Sequence, residues 1–399
     1  MTITDILTEF GAYYINSGQN MSRLYTLLHA KSATDQMLAT TPTDDTVWRA
    51  AKASISSVMQ PFQKGWTPKG TATMEPLSIT QYKMKIDSEE YPDDLEVSWL
   101  GFLADNNTDR KVWPFVRWFV EVLLLPKAKE EYELDAVYFG KRKEPTAGTA
   151  GETYEVMDGI LHARNQAILN SVTSPIAIGA WDSSDSVLVT QMEEFVDGFN
   201  AKYKNATMLA GVNETIHRRF LRGYRAKYGA NANFTDTNSK VDFSNVTLVG
   251  LPSMIGSDAI WATPMGNARK LMKKTANMSQ IRIENVDRLV KMYTDWFSGV
   301  GFVLGELIFT NDLDLGKPVI DAITPLAAAT AGGTALTITG REFTGTTSVK
   351  LDTTACTSVV VVNDRTITCV TPADDAGDYT VSITNAYGTT VSVDEVTVS

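Results

Sequence analysis

The chain has 399 residues, of which 43% are hydrophobic, and its formal net charge is −11 at pH 7. This length gives room for two or three domains, and the acidic balance argues against a general nucleic-acid-binding protein. Residues 1–20 lack a basic start followed by a continuous apolar run, so we expect no secretion signal. The chain has only two cysteines, which suits a protein made in a reducing cytosol.

The first 60 residues are predicted to form a helical arm. Ile3, Ile6 and Phe10 recur at helical spacing and would make one apolar stripe. The run Thr43–Asp45 is typical of a helix N-terminus, and we expect a helix to continue from there to Val58.

Residues 61–92 are predicted to form an extended hairpin. Three prolines and two glycines lie between Pro61 and Pro76, which excludes a helix there. Residues 79–86 alternate partly between apolar and polar side chains, as in a strand. The run Trp66–Gly70 would then form the tip of the hairpin.

One long spine helix is predicted from Asp109 to Gly140, with Asp109 as the N-cap and Gly140 as the stop. At about 1.5 Å per residue such a helix would be roughly 45 Å long. Pro126 falls in its middle and predicts a kink. The apolar run is interrupted by Glu121, with Arg117 just before it, so a membrane span is not expected.

The middle of the chain is predicted to form a mixed lobe. A loop rich in Gly, Thr and Ala follows the spine helix at residues 144–153 and should be mobile. A helix capped at Ser184-Asp185 and reaching Phe199, a second helix from Glu214 to Tyr228, and strands at residues 207–212, 246–250 and 259–263 are predicted. This alternation of helices and strands between Ser184 and Trp261 indicates an α/β or α+β arrangement. Two further β segments, residues 286–296 and 300–309, are predicted on either side of a turn at Ser298-Gly299.

The composition changes at Gly316-Lys317-Pro318. Residues 317–399 hold four basic and nine acidic residues, a net charge of −5, and show no helix pattern. Six short alternating runs are typical of a β-sandwich of immunoglobulin type. They are residues 335–339, 348–351, 359–362, 366–370, 379–383 and 391–398.

A basic helix face is the first candidate functional surface. Arg218, Arg222 and Arg225 recur at helical spacing, with Arg219 and Lys227 nearby. Such a face can contact phosphate or an acidic neighbouring subunit. It can equally be a solvated face, and the acidic chain around it favours that interpretation.

The remaining patterns give no catalytic constellation. The glycines at 299, 301 and 305 have the wrong spacing for a dinucleotide loop and favour close strand packing. Asp374, Asp375 and Asp378 are compatible with weak calcium binding, but an exposed acidic turn is the favoured interpretation. Cys356 and Cys369 are either paired across the sandwich or two small buried thiols.

The order of these parts resembles that of a tailed-phage major capsid protein of the HK97-like fold. A helical arm, an extended hairpin, a spine helix, a flexible loop and a mixed lobe follow one another over residues 1–312. The resemblance implies an α+β fold followed by an all-β immunoglobulin-like sandwich. The segments that carry it are residues 66–70, 79–87, 92–101, 113–140, 157–160, 249–252, 262–267 and 287–311.

The tail resembles an IPT/TIG immunoglobulin-like domain. Its pattern includes Pro318-x-Ile320-x-x-Ile323-x-Pro325, Gly332-Gly333-Thr334 followed by Gly340, and Thr368-Cys369-x-x-Pro372. Such domains also occur in receptors and polysaccharide-processing enzymes, so the tail alone does not decide the function.

The capsid resemblance implies a domain plan and a set of partners. Residues 1–60 would be the N-terminal arm, 61–92 the extended loop, 93–170 with 286–312 the peripheral domain, 171–285 the axial domain and 317–399 the displayed IPT/TIG domain. The chain would assemble with itself in pentamers and hexamers around double-stranded DNA, with portal and scaffolding proteins as further partners. Surface glycans are a candidate ligand of the tail.

The resemblance also implies where subunits meet. The hairpin would lie over an adjacent subunit, and the candidate contact residues are Trp66, Lys69, Arg218, Arg222 and Arg225. No lysine, asparagine and glutamate set for a covalent crosslink can be matched. No catalytic residue, metal, cofactor or membrane contact is expected, and the location would be the virion, assembled in the host cytoplasm. The rival interpretation is a polysaccharide-active or cell-surface protein with the IPT/TIG domain as a spacer.

Overall fold

The structure is a computed structural model that describes residues 31–229, 239–274, 281–286 and 289–399. The chain divides into two compact units, Met1–Asp312 and Leu313–Ser399. The helices predicted for residues 1–30 lie outside the described residues.

The segment after residue 30 is extended and is not the predicted helical arm. A single 3-10 turn, Thr34–Met37, leads into strand β1, Ala39–Pro42, and then into β2, Val47–Ile55. The helix expected from Thr43 to Val58 is therefore wrong. Side-chain exposure alternates along β2, which is the period of a strand.

The predicted hairpin exists, but it starts earlier in the chain than residue 61. β2 pairs antiparallel with β3, Ala72–Thr80, in an unbroken register from Val47↔Thr80 to Ile55↔Ala72. Residues 56–71 form the connecting tip. This two-stranded ribbon forms a sheet of its own among the described strands.

The chain then turns back into the body of the first unit. β4, Tyr82–Glu90, is followed at once by helix α1, Pro92–Asp105, which begins at a proline as the missing N–H allows. Residues 95–103 lie in this helix. Trp99 is fully buried, and its indole N–H donates to the carbonyl of Trp113 at 3.0 Å.

The spine helix is present but shorter than predicted. It runs continuously through Phe115–Trp118, Phe119–Leu124, Leu125–Glu131 and Tyr132–Ala136, of which the second and fourth are wide π turns. At about 1.5 Å per residue it measures roughly 33 Å. Pro114 with its extended backbone precedes the helix, so Asp109 is not the N-cap. The first wide turn, Phe119–Leu124, ends just before Pro126, where the kink was predicted, and the second follows that proline.

Residues 144–152 form an exposed loop after the spine helix, and the mobility expected of this loop stays a prediction. Helix α2, Ile160–Leu169, follows with Gly159 as its N-cap. Arg164 of this helix is fully buried, and its guanidinium donates to the Thr310 hydroxyl at 2.5 Å and to the Asn311 carbonyl at 2.9 Å.

The mixed lobe has two helices against one sheet. Its β5–β6 pair is parallel and its β5–β7 pair antiparallel, and the helices and sheet share one apolar core. Every element predicted here is present within two residues of its expected bounds. The elements are α3 (Asp185–Asp197), β5 (Met208–Asn213), α4 (Glu214–Tyr228), β6 (Val246–Leu251) and β7 (Trp261–Pro264).

A second sheet joins distant parts of the first unit. Its strands are β8 (Ala268–Met272), β9 (Arg282–Val286) and β10 (Leu289–Phe302), together with β1 and β4, in the order β1-β8-β10-β4 with β9 also on β10. β10 runs unbroken through Ser298-Gly299, so the turn predicted there is wrong. β11, Phe309–Thr310, returns to the sheet of the mixed lobe.

The second unit is the predicted two-sheet sandwich. One sheet has the order β12-β14-β18-β17 and the other β13-β20-β19-β15-β16, around one apolar core. All six predicted runs are strands. The strands are β12 (Val319–Thr324), β13 (Ala327–Ala328), β14 (Ala335–Arg341), β15 (Ser348–Leu351), β16 (Thr354–Ala355), β17 (Thr357–Asn363), β18 (Thr366–Val370), β19 (Gly377–Asn385) and β20 (Gly388–Val398).

Among the described residues, no helix is both long enough and apolar enough to cross a bilayer.

Candidate subunit-contact surfaces

The tip of the β2–β3 hairpin presents large apolar side chains to solvent. Met59, Phe62 and Trp66 are 85%, 93% and 92% exposed. Ile55 and Met74 at the ends of the two strands are also mostly exposed. Contiguous exposed apolar side chains of this size mark a surface that another molecule covers.

Hydrogen bonds within the tip hold its shape. The Lys69 ammonium donates to the Met59 carbonyl at 2.6 Å, and the Gln60 side-chain amide donates to the Thr67 carbonyl at 2.7 Å. The Thr71 N–H donates to the Ser56 hydroxyl at 2.8 Å. The structure therefore places both predicted contact residues of this region in the tip, with the Trp66 ring exposed and the Lys69 amine used internally.

An ion pair connects the hairpin to the body of the unit. The Lys52 ammonium lies 2.7 Å from a carboxylate oxygen of Glu306 and 3.7 Å from one of Glu75 on the facing strand. The hydrogen bond that Lys52 donates to the Glu306 carboxylate raises the pKa of Lys52 above its ordinary value. This contact favours one orientation of the ribbon, because it joins the hairpin to a segment more than two hundred residues away.

The basic face of α4 is largely satisfied within the lobe. Arg219 and Arg222 bond the two carboxylate oxygens of Asp185 on α3 at 2.8 and 3.0 Å, and together they lower the pKa of that carboxyl. Arg218 pairs with Glu214 at 3.3 Å. Arg225 is exposed on the same helix. The structure thus brings the predicted arginines together and assigns Arg222 a contact that joins two helices.

α3 and α4 approach each other closely at Gly223. A Cβ atom built on this glycine would lie 1.9 Å from the carbonyl oxygen of Asp185 and 2.9 Å from a methyl carbon of Val189. Only a residue without a side chain fits this crossing.

The three glycines at the end of β10 serve close packing, as predicted. A Cβ on Gly299 would lie 2.2 Å from the carbonyl oxygen of Thr80, and one on Gly305 would lie 2.7 Å from Val172. A Cβ on Gly301 would meet Ile79 at 3.1 Å. Gly299 and Gly301 therefore let β10 pass the base of the hairpin at short range, and Gly305 lets the turn after β10 approach Val172.

A buried ionic contact, which the sequence did not reveal, fixes the segment before β1. Lys270 on β8 donates to the Asp35 carboxylate at 2.8 Å, and both residues are buried. Burial opposes the charge on Lys270, but the facing Tyr132 and Asp35 outweigh it and raise the pKa of this lysine. Next to this pair, the Thr34 hydroxyl donates to Glu133 of the spine helix at 2.7 Å.

The two cysteines of the second unit are free and buried. A hydrogen bond from the neighbouring Cys369 thiol lowers the pKa of Cys356, so the two sulfurs lie next to each other. The structure thus has two adjacent buried thiols.

In the described ranges, no three His, Cys, Asp or Glu side chains are arranged to hold a metal ion. Among the predicted acidic residues of the tail, the Asp378 carboxylate accepts from the Thr397 hydroxyl at 2.7 Å, and the Asp374 carboxylate accepts from the Tyr379 hydroxyl at 3.4 Å. Hydrogen bonds within the sandwich thus engage two of the three aspartates.

Comparison with known proteins identifies the second unit. The IPT/TIG domain family matches residues 318–398, which confirms the assignment made from the sequence. This match covers about a fifth of the chain and leaves the first unit unassigned. No curated protein sequence matches the chain.

Solved phage structures are similar to most of the chain. The procapsid of satellite phage P4 with its size determination (Sid) protein is 13% identical, with a TM-score of 0.47 over 78% of this chain and 97% of that chain. The capsid of Myoviridae phage XM1 is 14% identical, with a TM-score of 0.44 over 70% and 91%. The capsid of an empty GTA particle is 12% identical, with a TM-score of 0.39 over 70% and 90%.

Proposed function

We propose that the chain is the major capsid protein of a tailed double-stranded DNA bacteriophage and self-assembles into an icosahedral shell. The observation that carries the proposal is the hairpin tip, which presents Met59, Phe62 and Trp66 to solvent. The order of elements in the first unit, from hairpin through spine helix to mixed lobe, supports it.

The hairpin tip has a physical reason to bind a partner. Moving one large apolar side chain from water into a contact is worth about 1.5–3 kcal/mol, so the three exposed side chains together favour association strongly. The hydrogen bonds of Lys69 and Gln60 hold the tip before it binds, which lowers the entropy lost on association.

The partner we propose is another copy of the same chain. A ribbon that docks on a different surface of the next copy makes a heterologous contact, and such contacts form rings when the rotation between successive copies closes. Pentamers and hexamers built this way are the units of an icosahedral shell. The ion pair of Lys52 with Glu306 supports this role, because it favours one direction for the ribbon.

The other partners follow from the same proposal. Double-stranded DNA would lie against the inner face, and portal and scaffolding proteins would act during assembly in the host cytoplasm. The IPT/TIG domain would be displayed outside the virion, with surface glycans as its candidate ligand. The peripheral domain would comprise residues 93–170 and 286–312, and the axial domain residues 171–285. The chain would act as a structural protein rather than an enzyme.

The pairing of the strands divides the first unit differently from these domain bounds. β8 and β9 fall within residues 171–285, yet they pair in the sheet of β4 and β10. β11, which falls within residues 286–312, pairs with β7 of the mixed lobe. If the axial domain is defined by the sheet of the mixed lobe, it ends near Pro264 and also includes residues 309–310.

Electron microscopy of the protein produced alone and together with its phage neighbours tests the proposal. Shells, or rings of five and six, are the expected particles, and nuclease-resistant DNA in shells would separate a virus from an empty compartment. A monodisperse monomer under both conditions would contradict the proposal. Binding of that monomer to a glycan array would favour the polysaccharide-active or cell-surface interpretation.

A further inference from the structure

One strand of the sandwich is apolar and uncovered on both faces. β17 is the last strand of its sheet, next to β18. Its four consecutive valines, Val359 to Val362, are 37%, 54%, 36% and 54% exposed. None of them belongs to the core of the fully described unit Leu313–Ser399. A strand in a sandwich normally buries every second side chain, so β17 has lost the usual cover on its inner face.

The other ends of the two sheets are protected in ways that β17 is not. β12, at the opposite end of the same sheet, has Pro318 just before it and Asp321 within it. The second sheet ends in β13 and β16, each only two residues long. Prolines, charges, short length and β-bulges are the usual means by which edge strands avoid pairing with other chains. β17 has seven residues without a charge or a proline. Its register with β18 shifts between Thr357 and Val360 and again between Val361 and Asn363, so the regular part of its edge lies at Val360 and Val361.

We propose that β17 pairs antiparallel with β17 of a second copy, so that two IPT/TIG domains share one continuous sheet. The domain carries a net charge of −5, which would oppose most contacts between copies. Thr357–Asn363 is a neutral stretch where two copies can approach without facing like charges. The valines would then meet valines of the other copy on both faces of the joined sheet.

Charges at the end of the strand select the antiparallel direction. Asp364 and Arg365 directly follow β17. In a parallel pair each would lie beside its own like-charged copy, which is unfavourable. In an antiparallel pair each lies at the opposite end of the shared ladder from its own copy.

Symmetry makes the pairing testable by crosslinking. Two identical antiparallel strands in one sheet are related by a two-fold axis perpendicular to the sheet, so one residue lies opposite its own copy. A cysteine at that position can form a disulfide with itself across the axis, by loss of two protons and two electrons to dissolved oxygen. Cysteines at the adjacent positions are offset along the strand and should crosslink less.

The experiment uses the full chain in four single variants, Val359→Cys, Val360→Cys, Val361→Cys and Val362→Cys. Each is exposed to air-saturated buffer and run on a non-reducing denaturing gel. We expect a dimer of about twice 43.7 kDa, with its highest yield at one of the four positions and at least several-fold less at the adjacent ones. A second substitution, Val360→Lys or Val361→Lys, is then added to the variant with the highest yield, at whichever of the two positions does not hold the cysteine. It should suppress the dimer, because it places like charges of the two copies within the shared sheet.

Val393→Cys is the matched control, since Val393 lies on β20 of the same domain and is 97% exposed. Wild type gives the background from the native cysteines. Equal dimer yield from Val393→Cys, or no dimer from any of the four variants, would overturn the proposal. The inference does not rest on the proposed capsid function, because the crosslink forms whether or not shells assemble.

Discussion

Gly223 on α4 lies against the carbonyl oxygen of Asp185 on α3, so closely that an added Cβ would be 1.9 Å from that oxygen. At this crossing the two helices of the mixed lobe pack backbone against backbone. Arg219 and Arg222, which both precede Gly223 on α4, bond the Asp185 carboxylate. Asp185 thus contacts α4 twice. Its carbonyl oxygen limits how closely the two helices approach, and its carboxylate binds the arginines of α4.

Replacing Gly223 by alanine should destabilise the first unit. The methyl group would force the helices apart, and such overpacking costs about 1–3 kcal/mol in the free energy of unfolding. Urea unfolding followed by far-UV circular dichroism measures the change. Gly101→Ala is the matched control, because Gly101 lies in α1 with nothing within 4 Å of an added Cβ, and alanine should stabilise that helix by up to about 1 kcal/mol. Equal effects of the two substitutions would contradict the close-packing account.

The Asp185 carboxylate should make stability depend on pH. Arg219 and Arg222 lower its pKa below the ordinary value of 3.8. The stabilisation is therefore complete above the unfolded-state pKa and is lost as the pH falls through the folded-state pKa. Asp185→Asn should lower the Tm at pH 7, and the difference from wild type should shrink below about pH 4.

Thermal melts between pH 2.5 and pH 7 measure this difference. Asp197→Asn is the control, since the Asp197 side chain is 84% exposed and lies 3.5 Å from Lys204. Exposed pairs contribute little, so its Tm should stay close to that of wild type throughout. A Tm difference for Asp185→Asn that is unchanged at low pH would refute the role given to the ion pair.

Removing only one partner of the buried ion pair between Asp35 and Lys270 should lower the free energy of unfolding. Lys270→Ala would leave a buried carboxylate without its partner, which destabilises by about 3–5 kcal/mol. The double variant Asp35→Asn/Lys270→Met removes both charges and keeps an acceptor for the Ser32 N–H that now bonds Asp35 at 3.0 Å. It should unfold at a higher urea concentration than Lys270→Ala. The reverse order would show that packing of the lysine stem, rather than charge pairing, dominates.

Prediction from the sequence was most accurate where a local residue pattern determines the secondary structure. The bounds of α4 were predicted to the residue, since its apolar spacing is strong and Asn213 caps it by accepting from the Thr215 N–H at 3.0 Å. The six tail strands were likewise evident from alternation. The predicted spine helix begins too early, at Asp109. In the structure Pro114 has an extended backbone, so the helix begins only after it, whatever the capping tendency of Asp109.

Errors arose where tertiary pairing decided the structure. β2 was taken for a helix, although pairing with β3 over its full length determines its conformation. β10 was predicted as two segments around Ser298-Gly299, whereas it runs through them unbroken, and only the close packing predicted for Gly299 agrees with the Thr80 carbonyl beside it. The Lys270–Asp35 contact joins residues 235 positions apart, and no local pattern reveals such a pair.

The tail domain should be dispensable for shell formation. The second unit begins at Leu313 and has its own apolar core, so ending the chain at Asp312 removes it as a unit. Electron microscopy of this truncation should give particles of the same diameter as the full chain. Loss of particles, with a soluble truncated protein, would mean that the domain bridges subunits.

The most direct test of the central claim is sedimentation of the wild type beside Phe62→Ser/Trp66→Ser. The proposed assembly predicts shells or capsomer rings for the wild type and a 43.7 kDa monomer with an unchanged thermal melt for the double variant. Met265→Ser, at a similarly apolar site that is 69% exposed outside the hairpin, should assemble like the wild type. Assembly of the double variant into the same particles as the wild type would contradict the claim that the hairpin tip joins the subunits.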